Sequence, residues 1–233
     1  MKTVYGQFCP VAVACEIFAE RWTPLILREL VLGSRRFNEI HRGVPKMSRT
    51  LLAQRLRELT AAGVVRSAGG AYELTPSGAE LGEVVVRLGE WGQRWGSPVR
   101  RDRLDPRLLM WDMRRRIAFE RLPPRRLVLR FDFRAVPAAL RRSSTFWLVL
   151  EGQEADLCVS DPGFEVDLFV DADLAAFCRV WLGEAPIREA IRSGAIRLAG
   201  DAQAMREFPS WLLLSALAAV PRPATPHLQR RVA

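Results

Sequence analysis

Arg49, Thr50, Gln54 and Arg57 follow one another along a short stretch, interleaved with Leu52, Leu56 and Leu59. Arginine can fork onto a guanine edge, glutamine onto an adenine edge, and a threonine methyl can meet that of thymine. Reading base edges is therefore the first chemistry this stretch suggests. Arg57 within it, and Arg36, Lys46 and Arg66 flanking it in sequence, are better placed for phosphate contacts, which position a protein on a duplex without specifying sequence. Catalysis has less to stand on. His41 and His227 neighbour no nucleophile or carboxylate set that would suggest nucleophilic or metal chemistry. Cys9, Cys15, Cys158 and Cys178 show neither ligand spacing nor a disulfide framework. Asp156, Asp161, Asp167, Asp171, Asp173 and Asp201 fall at strand ends and turns. No phosphate-binding glycine loop occurs. No enzyme activity, metal or cofactor is expected.

Local signals say how the stretch is held. A short helix is expected over Phe37–Arg42, then a turn ending at Pro45-Lys46. A stronger helix follows from an N-cap at Ser48 to Ala62. The Ser48 hydroxyl can accept from an orphan amide of the first turn and touch a phosphate at once. Gly63 suits the left-handed position past a helix end, and Leu52, Leu56 and Leu59 form the buried stripe. Val64-Val65-Arg66 and Tyr72-Glu73-Leu74-Thr75, joined by Ala68-Gly69-Gly70, read as a hairpin. Helix, turn, basic helix and hairpin are the layout of a winged helix-turn-helix. Before it, residues 9–32 hold two helical patterns hinged at Thr23-Pro24. After it, Leu81, Val84, Val85, Leu88 and Trp91 mark a long amphipathic helix ending near Trp95-Gly96-Ser97-Pro98. That helix has few partners in so small a domain, and a second copy of the chain is its natural cover.

Charge divides the chain. Lys and Arg outnumber Asp and Glu by 14 to 9 over residues 1–100 and by 13 to 5 over 101–142, but are outnumbered 8 to 12 over 143–233. The basic part should be drawn to a polyanion and the acidic part should not. No signal segment or bilayer-length apolar run is read, so a reduced cytoplasm and no membrane are expected.

Residues 98–126 read as a basic helical connector with an apolar stripe at Leu104, Leu108, Trp111 and Ile117. It is either a solvated bridge or an auxiliary contact to the DNA backbone. Strands are expected over 127–133, 145–150, 155–159 and 165–170, and helices from Asp173 to Gly183 and over 187–193. A strand over 196–201 precedes helices over 202–208 and 211–219. The tail from Pro221 reads as loose.

Cys9-Pro10-Val11-Ala12, Arg21-Trp22-Thr23, Leu25 to Leu30 and Arg36-Phe37-Asn38-Glu39-Ile40 resemble the HxlR family of bacterial transcriptional regulators. So do Ser48, Leu52, Arg55-Leu56, Leu59, Gly63-Val64-Val65, Tyr72 to Thr75, Gly78 and Leu81. The likeness covers roughly residues 8–95. It implies a dimeric winged-helix DNA-binding domain, paired through the segments near 10–20 and 78–95. It also places Cys9 where some members carry a redox-sensing thiol, although Cys9 has no close cation in sequence. Further on, Val166 to Val170, the helix to Trp181-Leu182-Gly183, and Ile191 to Asp201 resemble the C-terminal half of a sterol-carrier-protein-like domain. That fold implies an apolar tunnel for a lipid-like or aromatic molecule.

The whole reads as α+β. A winged helix-turn-helix domain spans 1–97, the connector 98–126, an α/β sterol-carrier-protein-like ligand domain 127–220, and a tail 221–233. Expected contacts to a palindromic double-stranded operator are Arg36, Lys46, Ser48, Arg49, Thr50, Gln54, Arg55, Arg57 and Arg66. Arg55 lies off the Arg49–Gln54 face, where an ion pair bracing the fold is its other reading. Trp147, Phe169, Phe177, Trp181 and Trp211 are the expected lining of a pocket for a hydrophobic effector, although aromatics at such spacings also build cores. Two alternatives stand: a redox regulator switched through Cys9, and a lipid carrier whose winged helix only makes the homodimer.

Overall fold

A computed structural model of the chain describes residues 5–96 and 99–223. The expectations on Ser97, Pro98, His227 and the tail beyond 223 lie outside the described residues. The chain divides into two compact units, the first ending at Trp91 and the second beginning at Gly92.

The first unit carries α1 (Pro10–Phe18), α2 (Thr23–Val31), α3 (Phe37–Gly43), α4 (Arg49–Ala61), β1 (Val65–Ala68), β2 (Ala71–Leu74) and most of α5 (Pro76–Trp95). Ser48 caps α4, its hydroxyl accepting from the Leu51 amide at 3.3 Å. At the other end Gly63 takes a φ of +71°, and the Val64 amide returns to the Leu59 carbonyl at 3.0 Å. This closure satisfies carbonyls that a helix end otherwise leaves open. Leu52, Leu56 and Leu59 are buried against Ile26, Leu27, Leu30, Ile40 and Val44, so α2 forms the floor beneath α3 and α4. The wing pairs Val65 with Leu74 and Ala68 with Ala71 across the Gly69-Gly70 turn. Arg36 bridges to Ala71, tying the start of α3 to the wing.

The second unit is built on a five-stranded sheet of order β5-β4-β3-β6-β7. Its strands are β3 (Leu127–Arg134), β4 (Thr145–Glu151), β5 (Glu154–Cys158), β6 (Leu168–Asp173) and β7 (Ile196–Gly200). β3 and β6 run parallel and the other pairs antiparallel. Between β6 and β7 lie α7 (Leu174–Trp181) and α8 (Ile187–Arg192), and α9 (Ala202–Trp211) follows β7. Asp173 and Asp201 cap α7 and α9, accepting from the Ala176 and Ala204 amides at 2.8 and 2.7 Å. Phe131 and Phe133 meet Phe177 edge-on, with ring centres 6.2 and 5.9 Å apart. Phe131 also meets Phe208 at 6.2 Å.

Three expectations are corrected. Residues 99–126 are no connector: α6 (Pro106–Met113) places Leu109, Met110 and Met113 in the same core as Leu129, Phe131 and Val170. Helical spacing shows that a stripe is buried but not against what. β6 begins at Leu168 rather than near Glu165. No helix covers 211–219: α9 continues to Trp211, after which Leu212 bridges to Ile117 and the chain turns over 216–219. There a pairing distant in sequence overrides local helical preference.

Candidate nucleic-acid interface

The exposed side of α4 gathers Ser48, Arg49, Thr50, Gln54 and Arg57, all solvent-facing, while its leucines are buried. The Arg49 guanidinium lies 4.9 Å from the Phe37 ring centre. Its Nη2 donates to Asn38 Oδ1 at 2.8 Å. A long, flexible cation is thereby held at one aim, lowering the ordering cost of a later bond. Gln54 Nε2 donates to Glu58 Oε1 at 3.2 Å one turn on. Lys46, Arg36 and Arg66 are exposed, and Arg66 forms an ion pair across the wing with Glu73 at 2.5 Å. The turn entering α4 is pinned by His41, whose Nε2 donates to the Met47 carbonyl at 2.9 Å and whose ring stacks on Phe37. Asn38, Phe37 and Glu58 as holders of Arg49 and Gln54 were missed in the sequence. The signal was present only as helix spacing between Gln54 and Glu58.

Arg55, expected as a contact or as a brace, is ion-paired within the fold. Its Nη2 lies 2.7 Å from Glu20 and its Nη1 2.6 Å from Glu58, with the side chain 15 % exposed. It holds α4 to the segment between α1 and α2. The expected pocket is also corrected, because its five residues do not converge. Trp147 and Phe169 are in register on either side of Arg130, which lies 5.4 and 6.0 Å from their ring centres. Alternation along β3 puts them on the opposite face from Phe131, and so opposite to Phe177. Phe177 and Trp211 are fully buried core residues, and Trp181 Nε1 donates to Asp112 at 2.8 Å. Strand parity scattered aromatics that sequence spacing had grouped.

Of the thiols, Cys9 is partly exposed. Backbone N–H groups of Ala12 and then Val11, at the open end of α1, hold its pKa below the usual thiol range. Burial, aided by the charges of Asp173 and Glu184, pushes Cys178 up to about 12. Among the described residues no group of His, Cys, Asp and Glu side chains is placed to hold a metal ion. No helix among them is long and apolar enough to cross a membrane.

A capped basic helix beside an ion-paired wing defines the class: a helix-turn-helix DNA-binding protein. Residues 17–100 match the family model described as HxlR-like helix-turn-helix. The HTH-type transcriptional regulator YvaP of Bacillus subtilis is 33% identical over 101 residues, 40% of this chain and 94% of that protein. An HTH-type transcriptional regulator of Methanothermobacter thermautotrophicus is 33% identical over 96 residues, 38% of this chain and 73% of that one. Quinone-bound YodB of B. subtilis, a solved structure, is 34% identical over 36% of this chain and 97% of its own, with a TM-score of 0.33. The chain belongs to the HxlR-like helix-turn-helix family, whose members are transcriptional regulators rather than enzymes.

Proposed function

We propose that the protein is a homodimeric cytoplasmic regulator whose two α4 helices read a palindromic operator, with half-sites about 34 Å apart or a multiple of it. The observation that carries the reading is the α4 face, with Arg49 held outward by Phe37 and Asn38. Arg49, Thr50 and Gln54 read base edges. Arg36, Lys46, Ser48, Arg57 and Arg66 hold phosphates. Dimerisation is supported by apolar side chains left exposed on two helices: Val11 and Val13 on α1, and Val84, Leu88 and Trp91 at helical spacing on α5. Large apolar side chains left exposed together along a helix call for a partner surface. Binding to duplex DNA titrated against salt tests the reading: log affinity should fall steeply as salt rises. A flat slope would leave the lipid-carrier alternative, in which the winged helix only dimerises.

The second unit, on this reading, is a sterol-carrier-protein-like sensor for a hydrophobic or aromatic molecule. The parallel β3–β6 pair and the aromatic layer under the sheet are consistent with it. A ligand acts only by binding one dimer geometry better than another. A ligand shown to bind this unit while leaving DNA affinity unchanged would remove the sensor role.

The second reading, a thiol switch, rests on the lowered pKa of Cys9. Full retention of any oxidant response in Cys9→Ser would exclude it.

A further inference from the structure

Beneath the reading face lies a carboxylate that the DNA contacts do not use. Glu29, on α2, is 1% exposed. Its Oε1 accepts from Arg28 Nε and Nη2 at 3.2 and 2.9 Å, and its Oε2 from Ser34 Oγ at 3.1 Å. The same Arg28 Nη2 donates at 2.7 Å to the carbonyl of Gly43, the last residue of α3. Gly43 is glycine for a visible reason: a Cβ there would lie 1.9 Å from the Glu29 carboxyl carbon. The carboxylate is therefore wedged against the α3 backbone where the chain turns toward α4, and the Arg28 fork closes the wedge from the other side.

We propose that Glu29, Arg28 and Gly43 form a positioning node that sets where α4 is presented, and through it the base preference of the protein. The node touches no DNA. It acts by fixing the end of α3, from which only the turn over 44–48 leads into the reading helix. Arg28 neutralises the carboxylate and shares its guanidinium with the Gly43 carbonyl, so the charge and the backbone position are one device. A charge kept this dry is stable only when paired and hydrogen-bonded. A neutral amide of the same shape can keep its oxygen toward Arg28 and donate to Ser34 Oγ, but it removes the negative charge that answers the guanidinium.

This inference rests on the DNA reading of α4, and its experiment separates the two. The wild-type chain selects duplexes from a random-sequence pool, and its affinity for the best one is compared with that for a shuffled duplex. Glu29→Gln, Gly43→Ala, Glu29→Ala and the double variant are measured in the same way, with near-UV circular dichroism and thermal unfolding on each. Glu29→Gln and Gly43→Ala should lower the ratio of selected to shuffled affinity about tenfold, the size of one mismatched base contact. Affinity for the shuffled duplex and its salt slope should stay unchanged, since phosphate contacts carry them. Removing the carboxylate makes room for a Cβ at residue 43. In the Glu29→Ala background, Gly43→Ala should therefore cost no further selectivity, a coupling that a double-mutant cycle reads directly. Variants that lose both affinities in proportion to their unfolded fraction, or additive effects in the cycle, would overturn the node. A wild-type chain that enriches no sequence would overturn the DNA reading and this inference with it.

Discussion

The arginines on the outer face of α4 are used differently from those of the second unit. In the first unit Arg36, Arg49 and Arg57 face solvent along α4 and its flank, and Arg49 is steadied by a ring and an amide oxygen rather than by a carboxylate, while Arg28, Arg55 and Arg66 pair with Glu29, Glu20 and Glu73. In the second, arginines are engaged by their own unit. Arg125 and Arg126 pair with Asp167 and Glu151, Arg130 and Arg134 with Asp132 and Asp171, and Arg222 with Glu184. Arg114 and Arg116 donate to the Ala155 and Leu214 carbonyls. The most basic segment by composition, residues 101–142, thus has many of its charges answered internally. Net charge along a chain indicates partners only after the paired arginines are set aside.

That contrast can be broken or sharpened in graded steps. The largest effect should come from the packed layer of the second unit. Phe177→Ala removes a fully buried ring and should cost about 3–5 kcal/mol in chemical denaturation; a loss below about 1 kcal/mol would mean the aromatic layer can collapse or was loose enough to hold a ligand. Next, Arg49→Ala or Gln54→Ala should each cost about 1–3 kcal/mol of discrimination in DNA binding with folding stability kept. Arg55→Ala should show the reverse pattern. It leaves Glu20 without its guanidinium and should lower stability by about 1–2 kcal/mol while base preference is retained. A change of preference in Arg55→Ala would return that residue to the interface.

Smaller still, Arg125→Ala and Arg126→Ala should leave the salt slope of DNA binding unchanged, whereas Arg57→Ala should reduce it by about one. Equal slopes for all three would erase the distinction between units. The smallest structural perturbation is chemical. Alkylation of the native protein near neutral pH should label Cys9, whose lowered pKa places thiolate in a more acidic range. Cys178, at about 12, should react only on unfolding. Peptide mapping by mass spectrometry after timed iodoacetamide treatment reads the order, and labelling of Cys178 first would refute it.

Much of the first unit was legible in the sequence because its signals are local. Ser48 and Gly63 mark helix ends within one turn of the backbone groups they serve. The leucine stripe repeats inside one helix, and the wing closes over four residues. The second unit is dominated by pairings between distant strands, and there sequence reading erred. It grouped Trp147 and Phe169 with Phe177, although strand parity sends them to opposite faces.

The sequence by itself determined that a capped, leucine-striped helix with Arg49, Thr50 and Gln54 outward stands beside a short hairpin. Propensity, capping and turn chemistry act over a few residues and need no distant partner. Only the tertiary structure decided that Arg55 pairs with Glu20, that α6 belongs to the second core, and that Glu29 is wedged against Gly43. Each of those outcomes is set by which side chain arrives from elsewhere in the chain to satisfy a charge, fill a volume or exclude a methyl group.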